Sequence, residues 1–263
     1  MQRFVLLSVF LILLLNSRPA LAQERAQTVA EGISRAIPYV SQNVTGFTDP
    51  VSIMVLYCLD QHYQRDLQLP PVAKLKRTRP EMAEKYFRLY GKYFDDKAQV
   101  GGITPERLRE IRGNLERTEY RLVWSMYCHQ QPLPDNFLRY TEPAANAQGK
   151  VLMMAAIEVQ NLIDNNCYEV VPPRLLEIRQ DLVENLTEMV RTGYATNFRE
   201  DPLAMAGIPL LVYMDEAERI RPEWVIAVLN AQHESGAWGY KGKPDPAITT
   251  FALWGLLAYD DKQ

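Results

Sequence analysis

The sequence has few cysteines, no excess of charge of one sign and no long apolar run. Three cysteines in 263 residues exclude a small scaffold held together by disulfides. The 29 Lys and Arg nearly balance the 32 Asp and Glu, so nucleic acid is not the expected partner. The longest apolar run, Phe4 to Leu15, is shorter than the roughly 20 residues of a membrane span. A composition of 47% hydrophobic and 23% charged residues is typical of a globular protein.

The first 22 residues have the organisation of a secretory signal peptide. Arg3 precedes the apolar run, and Ala20-Leu21-Ala22 provides a small-x-small cleavage site. We predict cleavage after Ala22 and a secreted or periplasmic location, with no integral membrane anchor left in the mature protein. The remaining residues 23–263 have the length of one large domain.

Helical periodicity dominates the mature chain and predicts an all-α fold. Some segments are amphipathic, such as the one in which Leu175, Leu176 and Val190 belong to one apolar stripe. Others are almost wholly apolar and should be buried on every side: Val51–Leu59, Val151–Ile157, Leu203–Tyr213 and Phe251–Tyr259. The predicted helices lie near residues 24–41, 50–63, 80–94, 104–114, 116–130, 148–164, 173–192, 202–215, 221–232 and 246–259. The basic stretch 74–79 and the proline-containing stretch 131–149 are expected to be loops.

Three of the apolar helices share the same start, an Asp followed by Pro. The pairs are Asp49-Pro50, Asp201-Pro202 and Asp245-Pro246. Asp accepts hydrogen bonds from free amides of the first helical turn, and Pro at the next position needs no acceptor. Their spacing fits a repeat of 40 to 50 residues with degenerate copies near 116 and 148. The pattern predicts an α/α toroid, an incomplete or small barrel of about five outer/inner hairpins.

The segment from Trp224 to Leu256 contains the most specific motif. Gln232, Gly236 and Trp238 follow an apolar helix and precede a Thr/Ala/Leu-rich helix. This arrangement resembles the repeat of the terpenoid cyclase and protein prenyltransferase superfamily. The resemblance implies an α/α toroid in which Gln232 lies on the Trp238 ring and bonds to the start of the inner helix.

The function of that superfamily is not carried over with the fold. Its cyclases use an Asp-x-Asp-Asp acid, and the sequence contains no such string. Zinc-dependent prenyl transfer belongs to the cytosol, whereas the leader predicts export. Toroids also serve as exported polysaccharide lyases and hydrolases, so the fold alone does not select a reaction.

Several polar and aromatic residues are expected at one rim of the ring. His233 and Glu234 are candidates for a catalytic base and its orienting carboxylate, with Asp245 and Tyr240 beside them; a solvated loop explains the first two as well. Candidate ligand-binding residues at the same rim combine carboxylates with aromatic rings: Trp238, Tyr240, Phe47, Phe198, Asp49 and Asp201. Helix capping accounts for the aspartates, and burial between hairpins accounts for Trp238.

Thiol and imidazole groups occur together on two apolar helices. Cys58 and His62 share a helical face, and Cys128 is followed by His129, so the four side chains are weak candidates for a zinc site. The alternatives are buried thiols or a disulfide, either Cys58 with Cys128 or Cys128 with Cys167. No metal or cofactor is predicted.

Two functions are compatible with these observations. The first is a binding or interaction module of the cell envelope whose partner is a small molecule, a glycan or an envelope protein; it predicts a ring centre filled by side chains. The alternative is a carbohydrate-active enzyme, lyase-like or hydrolase-like, that uses the rim residues. It requires a solvent-reachable carboxylate or histidine in an open cleft.

Overall fold

A computed structural model describes residues 29–63, 65–80, 104–128 and 133–262, and this part of the chain is mostly helical. The predicted signal peptide and the predicted helix at 80–94 lie outside the described residues, except for residue 80. The helices are α1 (29–43), α2 (Pro50–His62), α3 (Val72–Thr78), α4 (Pro105–Arg112), α5 (Thr118–Tyr127), α6 (Phe137–Ala145), α7 (Lys150–Asp164), α8 (Pro173–Thr196), α9 (Gly207–Tyr213), α10 (Pro222–Asn230) and α11 (Pro246–Asp261).

Short elements complete the described fold. Three 3-10 turns cover Val44–Gly46, Pro202–Ala206 and Ala217–Arg219. Strands β1 (Gly239–Tyr240) and β2 (Lys243–Pro244) form a two-residue antiparallel hairpin between α10 and α11. Among the described helices, none is both long and apolar enough to cross a membrane.

Five helices form the buried interior, and they pack in the order α2, α11, α9, α7 and α5. The wholly apolar segments fall on four of these helices and are buried almost throughout, as predicted. In α5 every side chain from Tyr120 to Tyr127 is buried. Helices α5 and α7 start at Thr118 and Lys150, close to the starts predicted at 116 and 148; the repeat itself stays a prediction.

Four further helices cover this interior. Helix α8 packs on α7 and α9, α6 on α7 and α5, α10 on α11, and α4 on α5. The stripe of α8 is buried at Leu175, Ile178, Leu182, Leu186 and Val190. Leu176 was wrongly assigned to that stripe: it is 52% exposed, because consecutive residues of a helix point about 100° apart.

A buried ion pair joins α5 and α7. Arg121 Nε donates to Glu158 Oε2 at 3.0 Å, and neither side chain is more than 2% exposed. The hydroxyl of Thr141, on α6, also donates to Glu158, and Arg121 Nη1 donates to the Leu115 carbonyl at 2.8 Å. This network fixes two interior helices and one outer helix to each other.

Three predicted features differ in the structure. Residues 72–78 form α3 and residues 137–145 form α6, although both stretches were expected to be loops. Pro143 lies inside α6, and that helix still buries Phe137, Thr141 and Ala145 against the interior. The predicted helix 202–215 is divided into a 3-10 turn and α9, with the junction at Gly207.

Candidate functional site

A cavity of about 670 Å³ opens at the carboxyl ends of four interior helices. We call it the central cavity; its lining comes from α2, α7, α9 and α11 and the residues that follow them, in the ranges 54–63, 157–164, 212–215 and 254–262. Because each helix contributes its C-terminal half, the four helices end at the same side of the molecule. Met54, Val55, Ile157, Val212 and Ala258 provide apolar walls.

Aromatic side chains line part of the central cavity. The rings of Tyr213 and Trp254 meet edge to face, with their centroids 5.8 Å apart. The hydroxyl of Tyr213 donates to Asn161 Oδ1 at 2.9 Å, and a hydrogen bond joins Tyr63 to Trp254. Burial raises the pKa of Tyr63 and, together with the charge of Asp164, that of Tyr213. Both phenols therefore stay neutral at physiological pH.

Gln160 is a buried polar group in the wall of the central cavity. It is 4% exposed, and its Nε2 donates to Asp164 Oδ1 at 2.9 Å. Within the described residues, no donor reaches its Oε1 atom. Because this atom has almost no accessible surface, an occupant of the cavity does not reach it.

Carboxylates surround the mouth of the central cavity. Asp164, Asp215 and Asp261 line it together with the cationic Lys262 and with His62. Burial raises the pKa of Asp164; the hydrogen bond from Gln160 opposes this shift, and the charge of Asp215 adds to it. The C-terminal ends of α2, α7, α9 and α11 also carry partial negative charge. The mouth is therefore electronegative.

Two of the metal candidates line the central cavity, and the other two do not form a site with them. Cys58 and His62 lie in its wall and mouth, as their shared helical face predicts. Cys128 forms a disulfide with Cys167, which was one of the two predicted pairings, so its sulfur is not a thiolate ligand. His129 lies outside the described residues. No group of three His, Cys, Asp or Glu within the described ranges could hold a metal ion.

Cys58 is not part of a disulfide in the part of the chain that the structure describes. Burial raises the pKa of this thiol to about 12. Because the thiolate is the nucleophilic form, Cys58 is a poor nucleophile at neutral pH. The predicted pairing of Cys58 with Cys128 is wrong, since Cys128 is bonded to Cys167.

The predicted rim lies at the opposite, amino ends of the interior helices. Asp49 and Asp245 cap α2 and α11, with their carboxylates accepting from Ser52 N and Ile248 N at 3.0 Å. Asp49 also pairs with Lys150 at 3.1 Å. Asp201 precedes the 3-10 turn, and its side chain makes no cap hydrogen bond. Capping therefore explains two of the three aspartates.

Most aromatic side chains of this rim are in the core. Phe47, Phe198 and Trp238 are at most 1% exposed, which corrects the expectation that they line an open sugar or peptide cleft. Tyr240 is 46% exposed, and burial and the charges of Asp245 and Asp201 raise its pKa. His233 is half-buried and Glu234 is exposed in the loop before β1. Their assignment as catalytic residues stays a prediction.

The Gln-Trp motif joins the last hairpin to α1. Gln232 Nε2 donates to the carbonyls of Gly32 and Gly236, both at 2.9 Å. Its recorded acceptors are thus on α1 and its own loop, whereas the resemblance implied the start of an inner helix. Trp238 holds α10 and α11 together, since its Nε1 donates to the Val228 carbonyl and its backbone N to Thr249 Oγ1.

Sequence reasoning missed the residues that give the central cavity its polarity. Gln160, Asp164 and Asp215 belong to or follow helices that were predicted correctly, but they were assigned no role. A polar residue within an apolar helix, such as Gln160 in α7, was an available signal. That the ends of α7, α9 and α11 meet depends on tertiary packing, which a single sequence does not contain.

Comparison with known proteins adds no relative. No family model matches the chain, and no significant match was found among curated proteins or solved structures. The superfamily resemblance of the Gln232 to Trp238 segment therefore stays a prediction.

Proposed function

We propose that the chain is an exported binding protein of the cell envelope that takes up a small molecule in the central cavity. The observation that carries this proposal is the cavity itself. Its volume of about 670 Å³ is within the range of roughly 300–1,000 Å³ that is typical of ligand sites. Its wall combines apolar side chains, two neighbouring aromatic rings and a few polar groups, as ligand sites do.

The open cavity also bears on the hypotheses drawn from sequence. An interaction module was expected to have a ring centre filled by side chains, whereas a cavity between the interior helices supports a small-molecule site. A small-molecule ligand is therefore favoured over a protein partner. The enzyme hypothesis relied on His233, Glu234, Asp245 and Tyr240, which lie at the other end of the interior helices, and Asp245 is a helix cap. We infer an incomplete α/α toroid because the interior helices pack as one consecutive series beneath outer helices.

The proposal is tested by filling the central cavity. Val212 lines it and is half-buried, so we expect Val212→Trp to occupy ligand space with little strain on the core. Leu176 is an exposed aliphatic residue on α8, and Leu176→Trp is the matched control. A fragment collection of apolar molecules should contain compounds that raise the melting temperature of the wild type and of Leu176→Trp, but not of Val212→Trp. The absence of any stabilising compound, or equal stabilisation of both variants, would contradict the proposal.

A further inference from the structure

A disulfide joins the end of α7 to the end of α5. Cys128 directly follows α5 and Cys167 lies shortly after α7, and the bond spans 39 positions of sequence. The Cys167 sulfur lies 3.4 Å from the Ser125 carbonyl oxygen of α5, to which Asn165 Nδ2 donates at 3.2 Å. Cys167 N donates to the Leu162 carbonyl of α7 at 3.0 Å. The disulfide therefore fixes the turn that ends α7 against the last turn of α5.

Asn161 connects this turn to the wall of the central cavity. It is 5% exposed, and its Nδ2 donates to Ser125 Oγ at 3.4 Å. Its Oδ1 accepts from the hydroxyl of Tyr213 at 2.9 Å. The Tyr213 ring in turn meets the Trp254 ring edge to face, and both rings line the cavity. Direct contacts thus lead from the disulfide, through Ser125 and Asn161, to two rings at the ligand site.

A buried ion pair also joins α5 and α7, independently of the disulfide. Arg121 Nε and Glu158 Oε2 are 3.0 Å apart, and both side chains are almost completely buried. Glu158 precedes Asn161 by less than one helical turn, whereas the disulfide follows Asn161. Loss of the disulfide should therefore leave the two helices paired and the fold intact, but release the part of α7 that follows the ion pair.

We propose that the redox state of the Cys128–Cys167 disulfide controls ligand binding in the central cavity. When the bond is formed, Asn161 is held where it accepts the Tyr213 hydroxyl, and the rings of Tyr213 and Trp254 keep one arrangement. When the bond is reduced, the end of α7 gains conformational freedom, and a ligand must order it again on binding. This inference rests on the proposed small-molecule function and specifies its regulation. The oxidising compartment that the predicted signal peptide implies favours the disulfide and hence the complete site.

The reductant is a dithiol, such as dithiothreitol or a protein with a Cys-x-x-Cys motif. Its thiolate attacks one sulfur of the disulfide, the S–S bond breaks, and the other sulfur leaves as a thiolate and takes up a proton. The second thiol of the reductant then displaces the attacked sulfur, so the reductant becomes a disulfide and the protein gains two thiols. Cys167 is half-buried and Cys128 is buried, so we expect the attack at Cys167.

Binding of N-phenyl-1-naphthylamine measures this control. The probe is an uncharged aromatic molecule whose fluorescence rises in apolar surroundings, and we expect it to bind the oxidised wild type but not Val212→Trp. If reduction leaves about one third or less of the molecules competent to bind, dithiothreitol should weaken the affinity by about threefold or more. Cys128→Ala with Cys167→Ala should bind equally weakly without reductant. Dithiothreitol should not change the affinity of this double variant, which controls for the reductant itself.

A variant of the cavity wall tests the contacts through Asn161. Tyr213→Phe keeps the ring but removes the hydrogen bond to Asn161, so its affinity should be lowered already in the oxidised protein. Reduction should then change the affinity by less than about twofold, because the contact between the disulfide and the cavity wall is broken. Tyr194 is a partly exposed tyrosine of α8 outside the cavity lining, so Tyr194→Phe is the matched control and should respond to reduction as the wild type does.

The outcomes separate this inference from the function beneath it. If the probe binds the oxidised wild type and neither reduction nor the double cysteine variant weakens it, the cavity is a binding site without redox control and the inference is overturned. A loss as large in Tyr213→Phe as in the wild type overturns it as well. So does a loss of helix content on reduction, measured by circular dichroism, because the disulfide then holds the whole fold.

A stabilising fragment replaces the probe if that fragment binds and N-phenyl-1-naphthylamine does not. If neither the probe nor any fragment binds, the proposed function and the inference both fail.

Discussion

The buried carboxyl of Glu158 makes the stability of this protein depend on pH. Burial raises the pKa of Glu158 from its ordinary 4.5 to about 7, although the charge of Arg121 and the Thr141 hydroxyl act in the opposite direction. The Glu158 carboxyl loses its proton at a lower pH in the unfolded chain than in the folded protein. The free energy of unfolding therefore falls as pH rises from about 4.5 to about 7, and this component is constant above that interval.

Replacement of Arg121 should extend this loss of stability to higher pH. In Arg121→Met, Glu158 has no counter-ion and its folded pKa rises further, so stability keeps falling above pH 7. Above pH 7, we expect the difference in the free energy of unfolding between wild type and variant to widen by roughly 1.4 kcal/mol for each pH unit. Urea unfolding between acid and mildly alkaline pH measures the gap. Arg191→Met, which breaks an exposed pair with Glu188, should follow the wild-type profile. A gap independent of pH would contradict this account.

The three cysteines should react differently because Cys128 and Cys167 form a disulfide and Cys58 does not. Burial keeps the Cys58 thiol protonated, and Cys128 and Cys167 are joined. Iodoacetamide should therefore modify none of them quickly in the native protein at neutral pH, one after denaturation without reductant, and three after denaturation with reductant. Intact mass spectrometry counts the additions. Three additions without reductant would show that the disulfide is not formed.

Close backbone contact holds the loop at Gly236, before the final hairpin, against α1. Gly236 has φ +84°, and a β-carbon there would lie 1.9 Å from the carbonyl oxygen of Arg35 on α1. Together with the bond from Gln232 to the Gly32 carbonyl, this contact places the loop against the first described helix. The Gly236 position therefore requires glycine for two independent reasons.

A pair of glycine substitutions separates those reasons. Gly242 has φ +82° but open space around it, so Gly242→Ala should cost only the strain of the left-handed backbone, about 1 kcal/mol. Gly236→Ala adds an overlap with backbone atoms and should cost about 3 kcal/mol or more. Chemical denaturation measures both. Equal losses for the two variants would mean that the loop does not press against α1.

Helices that have local sequence signals could be predicted, whereas the central cavity could not. Asp-Pro starts at Asp49 and Asp245, and the apolar run of α11, define helices without reference to the rest of the chain. Helix α6 was missed because Pro143 within it and two prolines before it indicate a loop, whereas burial of Phe137 and Ala145 stabilises the helix. The predicted rim and the observed cavity occupy opposite ends of the same helices, and a single sequence does not show which end stays open.

At the scale of the whole molecule, the helix caps and the central cavity lie at opposite ends of the interior helices. The amino ends of α2 and α11 are capped, and Trp238 joins α10 and α11 through three of its atoms and the Thr249 hydroxyl. The carboxyl ends instead leave an open cavity with an electronegative mouth. Because caps and core rings hold one end, substitutions at the other end should change ligand binding more than folding.

The most direct test of the account is a crystal structure of the protein soaked with a compound that raises the melting temperature of the wild type but not of Val212→Trp. We expect the compound in the central cavity, in contact with Trp254 and Val212. Side chains filling the space between α2, α7, α9 and α11, or a compound bound only elsewhere on the protein, would contradict it.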